Sequence, residues 1–219
     1  MVATQVGFVT TDPETCTTYN REDAQLQEFL IFCICVAGKT ARVVQESLKK
    51  FWPKIIPLVT SDGYFTLTPF QIMNRWISLY SSPKFAQGAL ATKLKECGIG
   101  CHKLKSRGII AIARAQDLDL CTATPEELEK FPGIGPKTSR FFILHSRKEA
   151  KVACLDVHIL RWMRTVRRLK NVPRQTPQSR PKYKALEKRF LHLVPKGKTV
   201  AEFDLEIWME FSRKIKAKS

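Results

Sequence analysis

The stretch that most constrains this chain runs from Leu128 to Arg164, LEKFPGIGPKTSRFFILHSRKEAKVACLDVHILRWMR. Just ahead of it, Thr124-Pro125-Glu126-Glu127 reads as a capping box, Thr124 answering the amide near Glu127, and the helix it opens is expected to end at Phe131. Pro132-Gly133-Ile134-Gly135 then makes a tight turn whose glycines supply positive φ. Pro136 opens a second helix, running to about Ser146, because the amide it lacks would be unpaired there anyway. Such a turn presents bare backbone amides at the positive end of a helix. With no side chains in the way, they form a site for one phosphate of a nucleic-acid backbone.

Lys137 lies one residue into that second helix, and Asp156, nineteen positions later, opens the next in Leu-Asp-Val-His-Ile-Leu-Arg. At the positive end of a macrodipole, and with partial burial, an amine is favoured in its neutral form, which is a nucleophile. The plain alternatives are one more solvated lysine and an aspartate that merely caps a helix from Val157 to Leu169. The conjunction of hairpin, lysine register and aspartate spacing favours chemistry over both.

The pattern F-P-G-I-G-P-K-T-S followed by D-V-H-I-L-R resembles the helix-hairpin-helix (HhH-GPD) DNA glycosylase superfamily of base-excision repair, closest to its endonuclease III and 8-oxoguanine glycosylase branches. The resemblance spans about residues 25 to 212. It implies an all-α fold of two helical domains with a DNA-binding cleft between them: a barrel-like domain at 28–149 carrying the hairpin, and a second formed by 1–27 with 150–219. Lys137 and Asp156 would face each other across that cleft. It also implies a bifunctional DNA glycosylase and abasic-site lyase that flips out a damaged or modified base, with Lys137 attacking the sugar C1′ and Asp156 assisting. Gly133, Ile134, Gly135, Thr138, His158 and Arg161 would meet the DNA. Lys39 and His102 would serve the base pocket or the wedge, with Cys101 or Ile99 as alternatives to His102, while Gly38 stands where the family usually has a glutamine. Two rival readings keep the scaffold with a different activity. One is a non-catalytic DNA-binding module; the other is an enzyme that modifies a base in place, as viral DNA hypermodification would require.

Charge agrees with a nucleic-acid partner. Against 20 Asp and Glu stand 37 Lys and Arg, a formal net charge of +17, and neutralising phosphates is the commonest reason to tolerate such self-repulsion. Double-stranded DNA is therefore the expected partner, and a monomer is expected. The seven cysteines, at 16, 33, 35, 97, 101, 121 and 154, lack C-x-x-C spacing and read as reduced, mostly buried thiols of an intracellular protein. No cysteine follows Cys154, so the iron–sulfur loop usual in the endonuclease III branch is expected to be missing. Cys97, Cys101 and His102 lack a fourth ligand for zinc. No redox cofactor or catalytic metal is expected, although the resemblance admits an alkali cation bridging the hairpin carbonyls and a phosphate. No apolar run is long enough for a membrane span, and residues 1 to 20 lack the features of a secretory signal.

In chain order, residues 1 to 20 read as an extended arm and Arg21 to Ala37 as a helix buried on most sides, given the run Phe29 to Val36. Thr40 to Trp52 is an amphipathic helix, after which Pro53 and Pro57 bracket a connection. Further helices are expected from Thr68-Pro69 to Tyr80, Lys84 to Glu96, Ser106 to Asp117, Tyr183 to Leu193 and Ala201 to Ile215, with a frayed tail. Of Phe141, Phe142, Ile143 and Leu144 most should point inward, and Asn171 to Lys182 should be the least ordered internal stretch.

Overall fold

The computed structural model of the chain describes residues 11–60 and 67–216, the side chains as far as Ser212. The first ten residues of the expected arm and the side chains of the expected frayed tail lie outside the described residues. Among the described residues there are ten helices and no strand: α1 Asp23–Val36, α2 Ala41–Val59, α3 Pro69–Ser78, α4 Pro83–Glu96, α5 His102–Ala113, α6 Pro125–Leu128, α7 Pro136–Ser146, α8 Val157–Thr165, α9 Arg180–Leu191 and α10 Val200–Lys216. No helix among them is long and apolar enough to cross a membrane.

The chain divides into two compact units. One is built on α1 to α5, with Lys130–Gly133 returning to it; the other takes Glu14–Asn20, Thr124–Glu129 and the chain from Ile134 onwards. A boundary at 149 would put α7 with the first unit, whereas α7 groups with α8 to α10.

In the first unit α1 is the core, buried at every position from Leu26 to Val36 and packed against α2, α3 and α5. A helix apolar on all sides has to lie inside, as its sequence required. Glycine is needed at Gly108 on α5, where a Cβ would lie 2.3 Å from the Pro132 carbonyl oxygen, so α5 touches the hairpin's backbone directly.

Glu28 is the charged exception among the buried positions of α1: only 4% exposed, it accepts a hydrogen bond from Thr11 Oγ1 at 3.0 Å on Oε2, while Oε1 finds no partner. Burial pushes its carboxyl from the ordinary 4.5 up to about 7, against the pull of the Thr11 bond and the Arg21 charge. The folded state therefore holds this proton where the unfolded chain has lost it. The resulting stability is full below the unfolded value and is lost as pH rises through about 7. We expect Glu28→Gln, which keeps an acceptor for Thr11, to be more stable than wild type above neutrality by up to about 3 kcal/mol. Urea unfolding at several pH values should show a downward slope in wild type that the variant lacks; identical slopes would refute the assignment.

Several boundaries differ from the sequence reading, among them the end of α5 at Ala113 instead of Asp117 and the start of α9 at Arg180 instead of Tyr183. Pro53 and Pro57 do not end α2 but lie inside it. A helix-interior proline costs about 3 kcal/mol, but the apolar face continues through Phe51, Trp52, Ile55 and Val59, all buried, and each such side chain returns about 1.5–3 kcal/mol. The helix ends where Thr60 N–H closes onto Ile56 O. The hairpin's first helix stops at Leu128 instead of Phe131, though Thr124 and Glu127 form the expected reciprocal cap. α5 starts at His102, four residues early, because Cys101 takes a left-handed φ of 54° as its N-cap. α8 ends at Thr165, not Leu169: Arg167 N–H returns to Trp162 O and Leu169 N–H to Met163 O around Arg168 at φ 50°.

The second unit has its own core, in which Leu155, Ile159, Leu160 and Met163 meet Tyr183 and Phe190 of α9 and Ile207 and Phe211 of α10. α10 packs on both α7 and α8. Phe142, Ile143 and Leu144 are buried and Phe141 is partly buried, so most of the run points inward as expected.

Candidate active site

The hairpin turn centres on Pro132 and Gly133, the pair a type II turn prefers, with Gly133 at φ +80°. Positive φ is expected of both glycines, yet only Gly133 takes it. Gly135 instead sits extended at φ −99° as the N-cap of α7, with nothing within 4 Å of where a Cβ would be. Its role is to leave the amides at the start of α7 uncovered. Ile134 between them is buried, and Thr138 turns its side chain inward at 6% exposure, so what this stretch offers a phosphate is backbone.

Lys137 occupies the first turn of α7, half-buried, and its ammonium has no hydrogen bond or ion pair to any described residue. Asp156 is the N-cap of α8: Oδ1 accepts the amides of His158 at 2.8 Å and Ile159 at 2.9 Å, and Oδ2 takes no hydrogen bond from the described residues. One carboxylate oxygen thus fixes the side chain and the other stays available. Both residues belong to the second unit. Both act on Asp204 of α10, whose carboxyl is raised by burial against the opposing His145 bond and charge, with the Asp156 charge adding to the rise and the Lys137 charge opposing it.

Asp204 and His145 were not singled out from the sequence. His145 is 1% exposed, with Nε2 3.7 Å from Asp204 Oδ2 and Nδ1 2.8 Å from Thr17 Oγ1. Burial alone would lower this imidazole, but Cys16 and Asp204 outweigh it and push it up to about 9. A sequence cue to Asp204 is a charge at a helix position whose neighbours at Ile207 and Phe211 are apolar.

His158 follows Asp156 on α8 and meets Trp208 edge to face at 6.4 Å between ring centres, and Arg161 lies over the Phe211 ring. Lys39 and His102 belong to the first unit. Lys39 is exposed and lays its Cε and Nζ against Gly100, in the space a side chain there would fill, which joins the turn at Gly38 to the turn before α5. His102 is half-buried in the first turn of α5, beside exposed Cys101. Among the described residues no group of three or more His, Cys, Asp or Glu is arranged to hold a metal ion.

No protein-family model matches the sequence. The structure, however, is similar to that of the Methanocaldococcus jannaschii 8-oxoguanine glycosylase/lyase in complex with a 15mer DNA containing 8-oxoguanine, with a TM-score of 0.60 at 20% identity over 89% of this chain and 84% of that one. It is similar too to the 8-oxoguanine DNA glycosylase of Thermotoga maritima, with a TM-score of 0.59 at 21% identity over 84% and 78% of the two chains. The chain has the fold of the helix-hairpin-helix DNA glycosylases. A non-covalent endonuclease III–DNA complex gives a TM-score of 0.58 at 16% identity over 88% of this chain and 75% of that chain. Among the described residues this fold is all-helical, as expected from the resemblance.

Proposed function

We propose that the chain is a bifunctional DNA glycosylase and abasic-site lyase acting on double-stranded DNA. The observation that carries this reading is the hairpin lysine: Lys137 stands in the first turn of α7 with no counter-ion among the described residues, in the same unit as an aspartate that keeps one oxygen available. The solved structures sharing the fold include a glycosylase/lyase bound to damaged DNA, which supports the same reaction class.

In this reading the duplex is held by the hairpin amides with Arg161 and His158, and the target nucleotide is flipped out so that C1′ can be reached. Lys39 and His102 serve the gap so left. Lys137 Nζ forms a bond to C1′ as the glycosidic bond breaks and the base leaves with a proton. Asp156 stabilises the positive charge that builds on the sugar and helps to move protons. Breaking C1′–O4′, with a proton passing from Nζ to the ring oxygen, opens the sugar to the Schiff base, which acidifies C2′; loss of that proton expels the 3′ phosphate by β-elimination. The hairpin carbonyls are hard oxygen donors of the type that suits an alkali cation and would hold one beside the phosphate.

The test is borohydride trapping on duplexes holding an abasic site, 8-oxoguanine, thymine glycol or 5-hydroxymethyluracil. A covalent adduct on the abasic duplex is expected, and a further adduct on one base-containing duplex names the base removed. No adduct on any duplex would sink the lyase mechanism and leave a DNA-binding module or a base-modifying enzyme.

A further inference from the structure

The segment that delivers Asp156 has no sheet to lie in. Residues 150–156 run between α7 and α8 outside any helix, and Ala153 to Leu155 are buried, so their backbone groups need partners within the protein. They come mainly from α9. Tyr183 Oη donates to Ala153 O at 2.8 Å and accepts Leu155 N–H at 2.9 Å. Glu187, one turn further along α9, accepts Ala153 N–H at 2.9 Å on Oε1. Thr176 Oγ1 donates to Leu155 O at 2.8 Å, and the Asp156 amide donates to Cys154 O at 2.7 Å.

The same Glu187 Oε1 also accepts Arg140 Nε of α7 at 2.8 Å, and the Arg140 guanidinium lies over the Tyr183 ring, 4.7 Å from its centre. Arg140 in turn donates through Nη1 to Pro136 O, in the turn of α7 that carries Lys137. One carboxylate oxygen therefore ties a residue three positions after Lys137 to a residue three positions before Asp156. Tyr183 is wholly buried, and burial holds its phenol well above the ordinary range, so it remains a donor.

We infer that Tyr183 and Glu187 of α9 are positioning residues that set the segment carrying Asp156 in register with the helix carrying Lys137. This rests on the reading of Lys137 and Asp156 as the reacting pair. Neither α9 residue touches DNA in it; each acts through the backbone it holds. Reaction geometry is sensitive at this level, since a displacement of about 1 Å can cost about 10²-fold in rate.

Tyr183→Phe tests it by removing one hydroxyl and keeping the ring. Two quantities are measured well below the variant's melting temperature: the single-turnover trapping rate on an abasic duplex, and amide exchange at His158 and Ile159, whose N–H groups report Asp156 directly. The expected result is a rate lower by about 10- to 10²-fold, faster exchange at both amides, and duplex affinity unchanged within about twofold. Glu187→Gln, which keeps an oxygen for Ala153 and Arg140, should retain most of the rate. A wild-type rate in Tyr183→Phe overturns the inference, and so does a lost rate with unchanged protection at His158 and Ile159, because the loss would not then pass through Asp156. If wild type itself forms no adduct, it is the lyase reading that fails; the exchange of those two amides then decides the positioning claim alone, supporting it if faster and overturning it if unchanged.

Discussion

Lys137→Ala should yield no borohydride-trapped adduct on any duplex, while the folded protein and its affinity for DNA remain. The side chain has no hydrogen bond or ion pair to lose among the described residues and is only half-buried, so truncation should change stability by no more than about 0.5 kcal/mol. One phosphate-scale charge out of a formal +17 alters binding modestly. The chemistry has no such reserve. A Schiff base needs a primary amine at this place, and the described residues offer no second lysine in the first turn of α7 or α8. The loss in strand-cleavage rate should be on the order of 10⁴-fold or more, larger than the roughly 10²–10⁴-fold expected for Asp156→Asn, which removes charge and proton transfer but leaves the nucleophile. Single-turnover cleavage of an abasic duplex, with both variants side by side, measures the difference. If Lys137→Ala still cleaves and is still trapped, the nucleophile is another amine and the site has been misassigned.

What could be read from the sequence was what is encoded locally. The apolar run from Phe29 to Val36 required a central helix, Thr124 with Glu127 required a cap, and Asp156 with two free amides ahead of it required an N-cap; each needs only residues within a few positions. What escaped depended on partners far along the chain. Pro53 and Pro57 looked like breakers because their cost is local while the burial that overrides it comes from other helices. The ion pairs of Glu129, Arg140 and Glu187 were not anticipated, since Arg140 meets partners 11 and 47 residues away. A cue existed for one of them. Tyr183, Leu186, Glu187 and Phe190 are spaced as one apolar helix face, and a carboxylate on such a face needs a buried counterpart. At the candidate site, likewise, the spacing of Lys137 and Asp156 was visible, but the side chains that hold their backbones were not.

Arg140→Ala is expected to destabilise the protein by about 3–5 kcal/mol, the largest stability loss of any single side chain discussed. The guanidinium is shared between Glu129 Oε1 at 2.7 Å and Glu187 Oε1 at 2.8 Å, with its own side chain 4% exposed and theirs 4% and 11%. Removing it leaves two carboxylates with little water and, on Glu187, no remaining cation among the described salt bridges; Glu129 keeps only Arg180, which is 56% exposed. The penalty is that of desolvated charge, not of a lost attraction. Arg140→Lys should recover part of the loss but not all, since an ammonium cannot present Nε and Nη1 to two carboxylates in one plane while covering the Tyr183 ring. Lys184 and Glu126 form a pair of the same formal charge at 2.8 Å, but with side chains 59% and 43% exposed, so Lys184→Ala should cost no more than about 1 kcal/mol. Urea unfolding of the three variants at neutral pH measures the order. Should Arg140→Ala cost no more than Lys184→Ala, water would have to reach Glu129 and Glu187 in solution, and the buried network could not be what holds α7 to α9.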